Sequence, residues 1–250
     1  MNIHFTDEKL FKELMCASIA RIDIGSHMYG LNTVTSDRDV LVIYADSYCD
    51  NMLFRTHHQL QYKRDNTDYI FTSVTQFFHN LMSGDSTINY EALLYMVRTG
   101  KYKELDALVP LFSNVNVITS YLGMAKRDIK FYKKDKSNKK VYHIVRGIEF
   151  AKALCEKKDI FKELDDIRPM LNLIRGIDAD YDKLVDDYTD FMNKTRESIR
   201  DELFSLTSDE HYMIEDAVIN LLIEFDDKRI RRFSFGHIVS DAIREDKFGY

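Results

Sequence analysis

The chain has 250 residues, is 45% hydrophobic and carries a net charge of −6. This suits one large domain or two small ones with a sizeable core. No transmembrane helix is expected, since no apolar run reaches the roughly 18 residues a spanning helix needs. The first residues, MNIHFTDEKL, do not read as a signal peptide, and three scattered cysteines (Cys16, Cys49 and Cys155) give no disulfide framework. Reduced thiols and a cytoplasmic location are expected.

Thr6 is placed to cap a first helix, with Asp7 and Glu8 in the first turn and Leu10, Phe11, Leu14 and Met15 as its apolar stripe. Ser18 to Ile24 alternates and reads as a strand, ended by Gly25. A polar loop leads to Val40–Tyr44, VLVIY, a β-branched run of the kind found in buried strands. Gln59–Lys63 and Tyr69–Thr72 are further strands, the second entered by Asp68. Thr75 is expected to cap a helix carrying Phe77, Phe78, Leu81 and Met82, with Gly84 at its C-terminus. Another helix runs from about Asn89 to Gly100.

Beyond residue 100 only helices are expected: 117–133, 139–156, 160–173, 181–206 and 211–225. The fold class is therefore α+β, a small mixed sheet with helices followed by an all-helical part. The boundary is expected between Gly100 and Val115, giving segments 1–110 and 111–250.

The charge is uneven. Between Lys126 and Arg146 stand nine Lys or Arg against two Asp, a net +7 in an acidic chain. Such a field attracts phosphates, although a solvated helix face accounts for the charge equally well. The phrase GSHMYGLNTVTSDRDVLVIY, residues 25–44, carries the sharper signal. Asp37 and Asp39 project to one side of a strand. Their mutual repulsion is costly unless a cation sits between them. Two such carboxylates suit Mg²⁺, which takes oxygen ligands and is shared with substrate phosphates. Asp68 is the natural third acid and Asp65 the alternative. Gly25 lets the backbone approach a phosphate, and the Ser26 hydroxyl can donate to it. On a helix, Lys139, His143 and Arg146 fall at i, i+4 and i+7 and share one face suited to a triphosphate or an RNA backbone. His57-His58 lacks ligands at zinc spacing. His27 could touch a nucleotide. The KRIRRF cluster, 228–233, is more ordinary as a solvated surface than as an RNA contact.

Ile24-Gly25-Ser26 followed by Asp37-Arg38-Asp39 resembles the nucleotidyltransferase superfamily that includes DNA polymerase β. The fuller set Gly25, Ser26, Tyr29, Gly30, Leu31, Ser36, Asp37 and Asp39 is similar to the predicted nucleotidyltransferases of the RlaP type, named for association with an RNA ligase. Asp68 with the following YIFT fits the family's third acid. Lys139, His143 and Arg146 fit its Lys-x-x-x-His-x-x-Arg pattern, and LIRG at 173–176 is also shared. Gly84-Asp85-Ser86 and Glu91 depart from the family's Gly-Asn-Pro and Glu by one residue of length. The likeness runs from about residue 18 to 176.

The resemblance implies a nucleotidyltransferase domain over 1–110 and a helical domain over 111–250 that closes its cleft. The expected reaction is Mg²⁺-dependent transfer of a nucleoside monophosphate from a nucleoside triphosphate, ATP among them, to a hydroxyl. Asp37, Asp39 and Asp68 would be catalytic and metal-binding; Gly25, Ser26, Lys139, His143 and Arg146 would bind the nucleotide. An RNA end, such as that of a tRNA, is the expected acceptor. A protein or small-molecule acceptor, or a non-catalytic nucleotide- or RNA-binding module, is the alternative.

Overall fold

A computed structural model describes residues 3–232 apart from 5, 35, 46–58, 101, 178 and 203, and for 3, 104 and 224–232 the backbone alone. Cys49 and His57-His58 lie outside the described residues, as do the side chains of the 228–233 cluster.

The sheet is mixed, ordered β1-β4-β5-β3-β2. Its strands are β1 (Ile3–His4), β2 (Ser18–Ile24), β3 (Arg38–Tyr44), β4 (Leu60–Arg64) and β5 (Thr67–Ser73). β3 is parallel to β5 and antiparallel to β2, and β4 is antiparallel to β5. The VLVIY run is uniformly apolar because β3 is covered on both faces. On one face Val40, Val42 and Tyr44 join Phe71 against Phe11 and Leu14 of α1 (Glu8–Cys16). On the other, Leu41 and Ile43 join Ala20, Ile22 and Ile24 of β2 in the main core.

The helices follow as α2 (Val74–Ser83), α3 (Thr87–Arg98), a 3₁₀ turn (Lys103–Leu108), α4 (Val109–Phe112), α5 (Val115–Asp135), α6 (Asn138–Cys155), α7 (Ile160–Gly176), α8 (Asp182–Ser198) and α9 (Ser208–Arg232). The α+β class is thus as expected. α6 is the central helix and buries most of its circumference, packed by α5, α7 and α8. One apolar cluster runs from Ala20 in the sheet to Leu221 in α9. Among the described residues no single helix is long and apolar enough to cross a membrane.

Several helix ends differ from the sequence reading. Asp7, not Thr6, caps α1, its carboxylate accepting from the Lys9 and Leu10 amides. Ser73, not Thr75, caps α2, because burial of Val74, Phe77, Phe78 and Leu81 at i, i+3, i+4 and i+7 starts the helix earlier. α3 starts at Thr87 behind the Ser86 cap rather than near Asn89. α8 ends at Ser198, ahead of Asp201 and Glu202, acids that oppose the dipole at a C-terminus. α9 begins at Ser208 rather than His211, and the segment before it holds a capping box: the Glu210 carboxylate accepts from the Thr207 amide, 2.7 Å, and the Thr207 hydroxyl from the Glu210 amide, 3.3 Å. Gly84 ends α2 as expected, in the left-handed region at φ +68°. It is also a packing requirement, since a Cβ there would lie 2.4 Å from Asn116 Cβ.

Candidate active site

The site lies at the end of the sheet where β2 finishes and β3 and β5 begin. Parallel register places Asp39 directly beside Asp68. Both share the strand face of Leu41 and Ile70, the face covered by the helices. Asp37 lies just ahead of β3 and opens onto the same cavity. Arg38 turns to the other face and forms an ion pair with Asp23, Nε to Oδ1 2.7 Å. Asp65 sits in the β4–β5 turn at φ +54° and does not line the cavity. Asp68 also pairs across the sheet with Lys63, 3.4 Å.

This cavity encloses about 660 Å³, within the usual size range of small-ligand sites. Its walls bring together all eight residues singled out in the sequence: Gly25, Ser26, Asp37, Asp39, Asp68, Lys139, His143 and Arg146. The acids come from the sheet and the cations from α6, across the cavity. A larger cavity of about 910 Å³, between α3, α4 and the start of α7, contains none of the eight.

The electrostatics follow from this crowding. Burial raises the Asp39 pKa, and Asp68 and Asp37 raise it further, against the opposing pull of Lys139 and His27. The His143 pKa is lowered to about 3, first by burial and then by Arg146, Lys139, Lys140 and Arg175. His143 is therefore a neutral imidazole near pH 7, able to donate one hydrogen bond, rather than a third cation beside Lys139 and Arg146. Among the described residues no group of three or more His, Cys, Asp or Glu is arranged to hold a metal ion. Asp37, Asp39 and Asp68 do offer carboxylate oxygens to one cavity. Such hard donors fit a Mg²⁺ ion whose remaining positions are filled by water and phosphate.

The Gly25-to-Leu31 loop is held tightly. Gly25 is at φ +64°, and a Cβ there would come 3.3 Å from Asp39 Oδ2. The Leu31 amide donates to the Ser26 carbonyl, 2.9 Å. From α7, Arg168 donates to the Tyr29 carbonyl and Arg175 to the Leu31 carbonyl. Tyr29 is buried, its hydroxyl donating to Glu91 and its ring lying under the Arg146 guanidinium, 4.4 Å from Cζ to the ring centroid. Tyr121 donates to the other Glu91 oxygen, 2.8 Å. Burial works against the charge of Arg146, and Tyr29, Glu91, Tyr142 and Tyr121 together more than offset it. Among the described residues, the Tyr142 hydroxyl and Arg146 Nε, in residues that line this cavity, are buried without a hydrogen-bond partner.

Sequence reasoning did not assign Arg127, Asp128, Tyr142 or Arg175 to the cavity. Arg175 left a signal as part of LIRG, and Arg127 as a member of the basic run 126–146. The partnership of Glu91 with Tyr29 and Tyr121 spans three separate segments and left none.

A strand ending in Gly-Ser, paired with a strand opening on Asp-x-Asp and flanked by a third acid on a parallel neighbour, places the chain among polymerase β-like nucleotidyltransferases. More narrowly, the chain belongs to the RlaP family, described as an RNA repair pathway DNA polymerase beta family, whose model matches residues 18–206. The match extends past Gly176, where the likeness legible in the sequence ends, and takes in α8. No curated protein and no solved structure matches the chain.

Proposed function

We propose that the chain transfers a nucleoside monophosphate from a nucleoside triphosphate to a hydroxyl, with an RNA end as acceptor and pyrophosphate as leaving group. The observation that carries this reading is the side-by-side register of Asp39 and Asp68, with Asp37 at the same cavity and Lys139 and Arg146 facing them. The family's place in RNA repair and the basic segment beside the cavity favour RNA. In this reading residues 1–110 carry the acids and residues 111–250 close the cleft.

Gly25 and Ser26 bind the triphosphate from the loop side. Lys139 and Arg146 balance its charge from α6, and neutral His143 donates a hydrogen bond to it. Asp68 accepts the proton of the attacking hydroxyl. That oxygen bonds to the α-phosphorus as the bond from the α-phosphorus to the bridging oxygen breaks, and the electron pair leaves with pyrophosphate. Mg²⁺ held by Asp37, Asp39 and Asp68 would lower the pKa of the acceptor hydroxyl and neutralise the leaving group. Phosphoryl-type transfer depends chiefly on such positioning and charge stabilisation.

The test incubates the protein with Mg²⁺, each α-³²P-labelled NTP and cellular RNA and protein. Nuclease-sensitive label from the wild type, lost in Asp37→Ala and Asp39→Ala, is expected. Protease-sensitive label would move the acceptor to protein. No transfer with any NTP would sink the proposal.

A further inference from the structure

The outer face of α5 carries a pattern that the chemistry above does not use. Arg127, Lys130, Phe131 and Lys134 recur at i, i+3, i+4 and i+7, so they form one stripe. The opposite face of the helix is buried through Ala125, Ile129 and Tyr132. Phe131 is 42% exposed in the middle of the stripe, and the Lys140 ammonium lies 5.2 Å from its ring centroid. Lys136 and Lys140 are engaged by Asp182 and Asp128. Among the described residues, neither Lys130 nor Lys134 has a carboxylate within salt-bridge distance. Arg127 and Lys140 also line the cavity of the three acids, so the stripe starts at the mouth of the site.

We propose that this stripe is the track for a single-stranded acceptor RNA, with an unpaired base stacked on Phe131 and phosphates on Lys130 and Lys134. The proposal rests on the nucleotidyltransferase reading for its purpose and deepens it by specifying an unpaired strand. Cations alone serve a duplex as well as a strand. An exposed ring between them has a use only where a base face is free to stack. From Arg127 to Lys134 the helix rises about 10 Å, the length of about three stacked nucleotides. Continuity with a cavity suited to nucleotides favours nucleic acid over an acidic protein surface.

The test titrates the full chain into a labelled oligouridylate and into an RNA duplex of equal length, between about 50 and 200 mM KCl. The wild type is expected to bind the strand more tightly than the duplex. Phe131→Ala should weaken strand binding at least about fivefold without changing its salt dependence, since no ion contact is lost. Lys130→Ala with Lys134→Ala should flatten the slope of log K against log salt by about 1.4, from about 0.7 per phosphate contact. Both sets of changes are on the surface, and Mg²⁺–NTP binding should stay at the wild-type level as a control on folding and on the cavity. A duplex preference, wild-type binding by Phe131→Ala, or capture of polyglutamate in place of RNA would overturn the track. The two readings fail separately. Absence of label transfer from any NTP leaves the strand-binding ratios standing, whereas transfer to RNA with Phe131→Ala indistinguishable from wild type removes the track alone.

Discussion

Replacing Glu91 by glutamine tests whether the site is held together from beneath. Glu91 is 3% exposed, and its two oxygens accept from Tyr29 on the Gly-Ser loop and Tyr121 on α5. The Arg146 guanidinium, stacked on the Tyr29 ring, supplies the compensating charge. An amide of the same shape keeps one acceptor and turns the other into a donor. One charge-assisted hydrogen bond is lost, worth about 1.5–3 kcal/mol. Arg146, buried, also loses the attraction of the Glu91 charge, and removing the counter-charge of a buried ion costs up to about 3–5 kcal/mol. Because the tyrosine oxygens still surround the guanidinium, we take about 3 kcal/mol as the combined cost. For a chain of this size that is a fall in Tm of about 6–12 °C by calorimetry. Tyr121→Phe removes one hydrogen bond but leaves the carboxylate, so its fall should be about half as large. A Glu91→Gln change below about 2 °C, or no larger than that of Tyr121→Phe, would refute the claim that the charge of Glu91 organises this region.

Three further outcomes follow from the site. The Asp39 pKa is raised, so its ionised form opposes folding above the ordinary carboxylate range of about 4; Asp39→Asn should abolish label transfer yet raise Tm at neutral pH in chelator, with the gain vanishing in acid, and an unchanged or lowered Tm at neutral pH would contradict the repulsion. His143 titrates at about 3 instead of near 6.5, so its neutral ring contributes stability that is full above about pH 6.5 and is lost as pH falls toward 3; melting curves of His143→Gln should therefore decline less than wild type between about pH 7 and 5, and parallel curves would remove the buried, cation-flanked imidazole. Gly25→Ala puts a side chain at φ +64° and 3.3 Å from Asp39 Oδ2; the strain of about 1–2 kcal/mol should lower Tm by about 2–8 °C, and NTP binding should weaken at temperatures where the variant is fully folded.

What was legible in the sequence was mostly what local pattern determines. β2 is recovered end to end because its alternation and Gly25 mark both limits. β3, β5 and the central helix α6 were also legible, and the eight residues singled out on them and on the Gly-Ser loop meet at one cavity, since each sat in a motif or at a helical repeat. Cap choice was less accessible. Thr6 and Asp7 are both good caps, as are Ser73 and Thr75, and only burial of the following stripe selects one. The register of Asp39 with Asp68 was an expectation about two strands that sequence alone does not pair. The Glu91–Tyr29–Tyr121 contacts and the arginine clamps from α7 join segments 30 to 144 residues apart. Such contacts are products of tertiary packing and have no local signature.

The protonation preferences of the cavity argue for the kind of ligand it takes. On one wall, burial raises the Asp39 pKa and its neighbours Asp68 and Asp37 raise it further, so Asp39 resists ionising. On the other, burial lowers the His143 pKa and Arg146, Lys139, Lys140 and Arg175 lower it further, so His143 resists protonation. Each wall adds like charge to the cost of burial, and the attraction across the cavity does not cancel these shifts. A single negative ligand would relieve the helix and aggravate the acids; a lone cation would do the reverse. A divalent cation bound to a polyphosphate, the ligand of the proposed reaction, would relieve both walls at once. Binding energy of that form comes from removing repulsion already built into the folded protein. On the proposed chemistry it would also tie the ligand's orientation to the position of the acids, presenting the α-phosphorus at the sheet end beside Asp68.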